Sequence, residues 1–247
     1  RTGMSIQGDF IYANGTFNAG TGTITYNGTS PQAVAAVTYN NLTINKSSGI
    51  ALINAVLTAN GNLTVTAGEL DINANSTISG NVVINSGTTL YGDASTINVG
   101  GNWANSGTFT AGSGTVLLNG SGAQTISSTT FNNLTIDKTA GNASLIGSIT
   151  INSNLSLLAG TFDLATYTAN RSAAGGQLTI SNGATLLAAG ANNFPQNFAS
   201  SVLGNSSTVH YNGTIAQTVI GAGYGNLVFS NGGANAKTPV LDRKSVV

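Results

Sequence analysis

The sequence predicts an all-β fold, a parallel β-solenoid in which short strands stack coil upon coil. Two observations predict it: an internal repeat with a shift of 92 residues, and short apolar–polar alternations that recur roughly every 18 residues within that repeat. No window shows the helical spacing of apolar residues over two turns. With 40% hydrophobic residues and no net charge, the chain of 247 residues lies outside the composition range of disordered proteins.

The long repeat keeps its register over about sixty positions. Gly15–Gly28 returns as Gly107–Gly120, and Tyr39–Ile44 returns as Phe131–Ile136. Single residues keep the same shift: Gln32, Lys46, Asn62, Gly68 and Asp71 correspond to Gln124, Lys138, Asn154, Gly160 and Asp163. A third, partial copy at a shift of 93 contains Thr208–Gly213, Gln217 and Tyr224–Phe229. The copies span about 8–100, 101–193 and 194–241.

A shorter period of alternating triplets lies inside the long one. The triplets begin 18, 21, 19, 15 and 19 residues apart and are Ile24–Tyr26, Leu42–Ile44, Leu63–Val65, Val82–Ile84, Ile97–Val99 and Val116–Leu118. If each triplet is one coil's inward-facing strand, residues 1–241 form a single solenoid of about 13 coils of roughly 18 residues. A sandwich or an up-and-down barrel has no reason to repeat local sequence in this way, so the solenoid is favoured.

The first and third residues of each triplet are expected to point inward, where each large apolar side chain contributes about 1.5–3 kcal/mol. We therefore expect a charge in an inward position to break a coil. Asn41, Asn133 and Asn226 are interpreted as corner amides that bond along the stack. Their neighbours Tyr39, Phe131 and Tyr224 are interpreted as core residues. Residues 188–205 depart from the repeat and contain Pro195, which indicates an insertion or a distorted coil.

Few residues carry reactive chemistry. The only histidine, His210, occupies the middle of a triplet and is expected to face outward, alone, which makes neither a metal site nor a catalytic triad. Glu69 and Asp71 lie on one face of a strand, but Thr161 replaces Glu69 in the next copy, and Asp163 is expected to be five coils away. A glycosidase needs its two carboxyl groups within about 10 Å. The sequence therefore predicts no catalytic, cofactor-binding or metal-binding residue, no cofactor and no enzyme activity.

Two further patterns are found in some binding sites, but neither is predicted to form one here. The glycine-rich segments Gly20–Gly22, Gly112–Gly114 and Gly221–Gly225 precede strands and not helices, so they are predicted to be turns without a phosphate site. Threonine pairs such as Thr23/Thr25 and Thr64/Thr66 suggest an ice-binding solenoid. The pairs are expected to skip coils and are not kept between copies, which argues against such an array.

Composition excludes two classes of partner. Seven basic residues, never clustered inside the repeats, cannot neutralise a run of phosphates or hold an anionic membrane, so nucleic acid is not an expected partner. No stretch approaches 18 consecutive apolar residues, so no direct membrane insertion is expected. The last six residues, Asp242–Val247, hold three charges and match nothing upstream, and residues 242–247 are predicted to be a non-native tail on a fragment of a longer chain.

The repeats Gly107–Val116, Gln124–Ile126 and Phe131–Ile136 resemble the repetitive surface proteins of bacteria of the filamentous-haemagglutinin or autotransporter-passenger type. The resemblance implies a right-handed β-helix, secretion to the cell surface or the medium, and anchoring by other parts of the polypeptide. It also implies a structural or adhesive role, as a rigid stalk or adhesin body that contacts host or environmental surfaces or glycans. A carbohydrate-binding or polysaccharide-degrading β-helix is the first alternative, and an ice-binding solenoid is the second.

Overall fold

The computed structural model describes the backbone of residues 3–12, 17–230 and 237–239. It divides into two compact units, one formed by Arg1–Gly120 with Thr130–Asn132 and the other by Ser121–Thr129 with Asn133–Val247. The predicted tail at 242–247 and the Asn-Gly pair at 14–15 lie outside the described residues.

All regular structure in the described residues is β-strand, as predicted. The first strands are β1 Gly3–Ile6, β2 Thr23–Tyr26, β3 Gln32–Ala33, β4 Thr38–Tyr39, β5 Asn41–Ile53, β6 Leu57–Ala59, β7 Leu63–Ile72, β8 Ser76–Ile78, β9 Val82–Ile84, β10 Thr89–Tyr91, β11 Thr96–Val99, β12 Trp103–Asn105, β13 Thr108–Thr110 and β14 Thr115–Leu118. The remaining strands are β15 Gln124–Ile126, β16 Thr130–Phe131, β17 Asn133–Leu145, β18 Ile149–Ile151, β19 Leu155–Asp163, β20 Ala169–Arg171, β21 Gly175–Ile180, β22 Thr185–Ala188, β23 Phe198–Leu203, β24 Thr208–Tyr211, β25 Gln217–Val219, β26 Asn226–Phe229 and β27 Lys237–Pro239.

The strands of the first unit stack in parallel as three ladders, which we call faces A, B and C. Face A contains β1, β2, the first half of β5, the first half of β7, β9 and β12. Face B contains β3, the second halves of β5 and β7, β10 and β13. Face C contains β4, β6, β8, β11 and β14. Every one of these pairings is parallel, so the chain passes each face once per turn.

The second unit is built in the same way. One ladder contains β15, the second halves of β17 and β19, β22, β24 and β26. Another contains the first halves of β17 and β19, β21 and β23. β18 pairs with β20, and β25 pairs with β27. The described residues thus form a parallel β-solenoid of about 11 turns.

The inward positions follow the predicted alternation. In each triplet the first and third residues are buried and the middle one is only partly buried; Ile24 and Tyr26 flank Thr25 in this way. The largest core side chain is Trp103, whose ring lies 4.8 Å from that of Phe109 and 5.5 Å from that of Phe131. The bore is apolar because each coil buries its inward residues against the coils on either side.

The coil count is about 11 where the sequence predicted about 13, and strand register explains the difference. Val82 belongs to face A, whereas Ile97, which starts the next triplet, belongs to face C. The step of 15 residues between them is therefore part of a turn and not a coil of its own. The same register places Ile24 on face A and its repeat equivalent Val116 on face C. One 92-residue repeat consequently does not span a whole number of turns.

The predicted insertion at 188–205 is shorter in the structure. Residues 189–197 form a loop without strand, and Phe198–Leu203 then rejoins the stack as a strand parallel to β21. Phe194 and Pro195 are buried, and the Phe194 ring packs edge-on against Tyr224 at 6.3 Å. The loop is anchored by its own apolar residues.

Candidate functional site

A buried glutamine and a buried lysine meet at one corner of the first unit. Gln32 Nε2 donates to the carbonyl oxygens of Ile6 at 3.0 Å and Gly8 at 2.6 Å. Its Oε1 atom accepts a hydrogen bond from Gly28 N at 2.8 Å. Lys46 Nζ donates to the same Oε1 at 2.8 Å and to the carbonyl oxygen of Gly28 at 2.8 Å.

The ammonium has a third acceptor, the carbonyl oxygen of Ser30 at 2.8 Å, so all three of its protons are bonded. We call this arrangement of Gln32 and Lys46 the first Gln–Lys clamp. Lys46 is only 1% exposed, and Gly68, in the next coil, passes directly over its backbone. A Cβ at Gly68 would lie 2.6 Å from the Lys46 carbonyl oxygen, and Gly68 also has φ +77°, so this position requires glycine.

The second copy of the repeat rebuilds the arrangement in the second unit. Lys138 is 2% exposed and its Nζ donates to Gln124 Oε1 at 2.6 Å and to the Gly122 carbonyl oxygen at 2.9 Å. We call Gln124 and Lys138 the second Gln–Lys clamp. Gly160, with φ +77°, covers the Lys138 backbone as Gly68 covers Lys46.

The third copy keeps the glutamine half of the arrangement. Gln217 Nε2 donates to the carbonyl oxygens of Ala188 at 2.7 Å and Gly190 at 2.9 Å. Its Oε1 atom accepts from Gly213 N at 2.9 Å. The position equivalent to Lys138 lies outside the described residues.

The clamps correct the expectation that an inward charge breaks a coil. A buried cation is tolerated where each proton finds an acceptor, and the corner supplies backbone carbonyls and one carboxamide for that purpose. Burial lowers the pKa of Lys46 from its usual value, and the nearby carboxylate of Asp9 partly offsets this. Burial likewise lowers the pKa of Lys138. The repeat contained the signal, because Gln32 and Lys46 both recur in a chain with few charges.

Asparagine side chains join successive coils at another corner, as predicted for Asn41. Asn41 Oδ1 accepts from Asn62 N at 2.8 Å, Asn62 Oδ1 from Asn81 N at 2.8 Å, and Asn81 Oδ1 from Asn102 N at 2.7 Å. This asparagine ladder runs along the edge of face A. In the second unit, Asn133 Oδ1 accepts from Asn154 N at 3.2 Å, and Asn154 Oδ1 accepts from Gln177 N at 2.9 Å.

In the first unit a glycine lies beside each rung of the ladder, whereas the second unit has Ser153 at the position of Gly61. A Cβ built on Gly80 would lie 2.5 Å from Asn62 Oδ1 and 2.7 Å from the backbone of Gly61. A Cβ on Gly101 would lie 2.5 Å from Asn81 Oδ1. The Gly-Asn pairs at 61–62, 80–81 and 101–102 are therefore the sequence signature of this corner.

The threonine pairs skip a coil, as predicted, because Thr23 and Thr25 face Asn41 and Thr43 on the next strand. Single hydroxyls nevertheless align over four coils. Register places Ser5, Thr25, Thr43 and Thr64 opposite one another on adjacent strands of face A. The hydroxyl column ends there, because the next partner in register is Val83. Thr66 has another role, since its hydroxyl donates to the Ile44 carbonyl oxygen at 3.0 Å.

An acidic and aromatic patch lies on face B. Glu69 and Asp71 project from one strand, as predicted, and register places Asp71 opposite Tyr91 on the next strand. Burial raises the pKa of Asp71; a hydrogen bond from Asn73 opposes the shift, and the carboxylate of Asp93 adds to it. The structure thus brings Asp71 close to Asp93, a neighbour that sequence spacing did not indicate.

The remaining candidates have local roles. His210 is partly buried and faces outward from its triplet, but it is not alone, because its Nε2 lies 2.7 Å from Ser230 Oγ. Asp163 Oδ1 accepts from Ala165 N at 2.8 Å, where the backbone turns with φ 49°. Gly20 and Gly112 occupy turns with positive φ.

No family model matches this chain, and neither a curated protein nor a solved structure matches it. Across residues 3–12 and 17–230, no group of three or more His, Cys, Asp and Glu side chains is placed to hold a metal ion. The same described part of the chain contains no long apolar helix of the kind that crosses a bilayer.

Proposed function

We propose that this chain is a load-bearing structural segment, a stalk or adhesin body, of a large secreted or cell-surface protein. One observation carries the proposal. Between the first two copies of the repeat, the residues of the clamp and of the Asn41 rung are kept, namely Gly28, Gln32, Lys46, Gly68, Asn41 and Asn62. Some outward residues change: Thr25 becomes Leu117 and Glu69 becomes Thr161, although Asp71 returns as Asp163.

The direction of these bonds supports a mechanical role. Backbone ladders, the asparagine ladder and the Gln–Lys clamps all run from coil to coil, along the direction in which the strands stack. A binding surface repeated for avidity would be expected to keep its outward side chains. Here the clamp and the Asn41–Asn62 rung are kept while outward residues such as Thr25 and Glu69 change, which favours cohesion between coils as the repeated property.

The role is that of a spacer without catalysis, joined at both ends to the rest of the same polypeptide. Its outer faces are polar and nearly uncharged, and we expect weak contacts along them with host or environmental surfaces or glycans. An extracellular or cell-surface setting fits this use.

Single-molecule stretching of the full chain tests the proposal. The chain is tethered at both ends in series with a helical reference domain. We expect the helical domain to extend first, since the solenoid must lose parallel backbone ladders and buried corner bonds before it extends. Extension of the solenoid at lower force than the helical domain would contradict a load-bearing role. So would tight, reproducible binding of one polysaccharide on a glycan array.

A second candidate, saccharide binding, is favoured by the patch on face B. Tyr91 offers a half-buried ring, and Glu69, Asp71 and Asp93 offer acceptors for sugar hydroxyls on adjacent strands. A glycan array with the wild-type chain and a Tyr91→Ala variant tests it. Binding that the variant loses would favour this candidate. A reducing-sugar assay on the bound polysaccharide then separates binding from cleavage.

A further inference from the structure

The first Gln–Lys clamp connects three successive coils of the stack. Ile6, Tyr26 and Ile44 are register partners on β1, β2 and β5, so they mark three consecutive turns. Gln32, which follows Tyr26, bonds back to the carbonyl oxygen of Ile6. Lys46, which follows Ile44, bonds back to Gln32. The two side chains therefore form a continuous link across three turns.

The clamp also contains more side-chain hydrogen bonds than a rung of the asparagine ladder. Six hydrogen bonds meet at the Gln32 carboxamide and the Lys46 ammonium. Each rung of the asparagine ladder, in contrast, contributes one side-chain bond between two neighbouring coils. Bonds from an ammonium are about twice as strong as those between neutral groups, and burial keeps water from replacing them during stretching.

Geometry determines how these bonds break under tension. When a coil is peeled from the stack, its backbone hydrogen bonds open one after another, so the load at any moment is carried by a few of them. The bonds of a clamp share two side chains and must open nearly together. Peeling past Gln32 also removes the three acceptors of the Lys46 ammonium together, because all three lie between Gly28 and Gln32, while Gly68 still covers the Lys46 backbone.

We propose that the two Gln–Lys clamps are mechanical stops that divide stretching of the solenoid into blocks. This inference rests on the proposed load-bearing function and specifies how that load is released. Peeling proceeds coil by coil until a clamp holds it, and the clamp then yields as one event. Equivalent residues of the two clamps, such as Lys46 and Lys138, are 92 residues apart, so about 31 nm of extended chain is released between the yielding of one clamp and of the other.

The test is single-molecule stretching of the full chain with each clamp varied separately. Lys46→Met removes the ammonium at similar side-chain length, and Lys138→Met does the same in the second clamp. Each variant serves as the matched control for the other. We expect each to lose the force peak of its own clamp and to keep the other peak. Lys46→Arg, which retains a charged donor, should keep the force peak of the first clamp at a lower force.

Far-ultraviolet circular dichroism and Trp103 fluorescence establish that each variant is folded before it is stretched. If a variant does not fold, the wild-type trace still decides, because the extended chain released between its two major peaks should be about 31 nm long. Force peaks that neither methionine variant changes, or wild-type peaks at other spacings, would refute the inference that the clamps are mechanical stops. The proposed load-bearing function would still stand. Extension of the whole chain before the helical reference domain would instead defeat the proposed function.

Discussion

Replacing Gly80 with alanine should open the asparagine ladder. The added Cβ would lie 2.5 Å from Asn62 Oδ1 and 2.7 Å from Gly61 backbone atoms, distances that force the coils apart. Losing the bond from Asn81 N to Asn62 Oδ1 costs about 0.5–1.5 kcal/mol. Overpacking a tight site adds about 1–3 kcal/mol. We expect Gly80→Ala to lower the free energy of unfolding by about 2–4 kcal/mol.

Urea unfolding followed by Trp103 fluorescence measures this loss. The chain has a single tryptophan, and its strand lies beside the strand that Gly80 precedes, since Trp103 pairs with Val82. The matched control is Gly223→Ala, because a Cβ there meets no atom within 4 Å and the glycine has no positive φ. That control should be neutral or stabilising by up to about 1 kcal/mol, through the unfolded chain.

A double variant separates the two sources of the clash. Asn62→Ala removes the amide oxygen but leaves the Gly61 backbone in place, so Gly80→Ala should cost less in that background and still cost something. Equal losses from Gly80→Ala and Gly223→Ala would refute the reasoning. So would full rescue by Asn62→Ala, since the backbone contact would then have no effect.

Three predictions concern charge. First, stability in urea should rise as pH increases towards about 10, because burial lowers the pKa of Lys46 and Lys138 and the native state releases their protons before the unfolded chain does. It should fall above that pH, because burial raises the pKa of the tyrosine pairs and the unfolded chain ionises first; a monotonic pH profile would contradict this. The four tyrosines are Tyr26, Tyr39, Tyr211 and Tyr224. Second, Asp71→Asn should raise the urea midpoint at pH 7 and lose that advantage in acid, since the pKa of Asp71 is raised and its ionisation opposes folding; Glu69→Gln, at an exposed position, is the control. Third, stability should change little above the acid range in which Asp71 titrates and below the pH at which Lys46 and Lys138 lose their protons, and a steep change there would mean that another buried group titrates.

The fold was predictable because its signal is repeated. Alternation in the triplets predicted which residues face the bore, and the 92-residue shift predicted a parallel stack in place of hairpins. The number of turns was not predictable from triplet spacing. A triplet on face A and a triplet on face C look alike in sequence, since both present two apolar residues to the same bore. Only strand pairing distinguishes Val82 from Ile97 in this respect.

The clamps were not predictable from the burial preference of each residue type taken singly. A lysine is unfavourable inside a protein, so Lys46 was not considered an inward residue. Its burial depends on three oxygen atoms, on Gly28, Ser30 and Gln32, that come together only when the corner closes. The acidic neighbour of Asp71 was missed for a similar reason. Asp93 lies 22 positions along the chain but one coil away in space, a distance that depends on the length of that particular turn.

Each of the first two repeats contains one Gln–Lys clamp. Gln32 and Lys46 lie 14 residues apart in sequence, yet their bonds connect three turns, because Ile6 and Gly8 contribute backbone carbonyl oxygens from the turn before. The repeat need not span a whole number of turns, since Ile24 on face A and Val116 on face C are equally well buried at 5% and 2% exposure. An apolar bore that accepts the same residues from different faces does not constrain the phase of the repeat, so duplication preserves the clamp and leaves the outward surfaces free to vary.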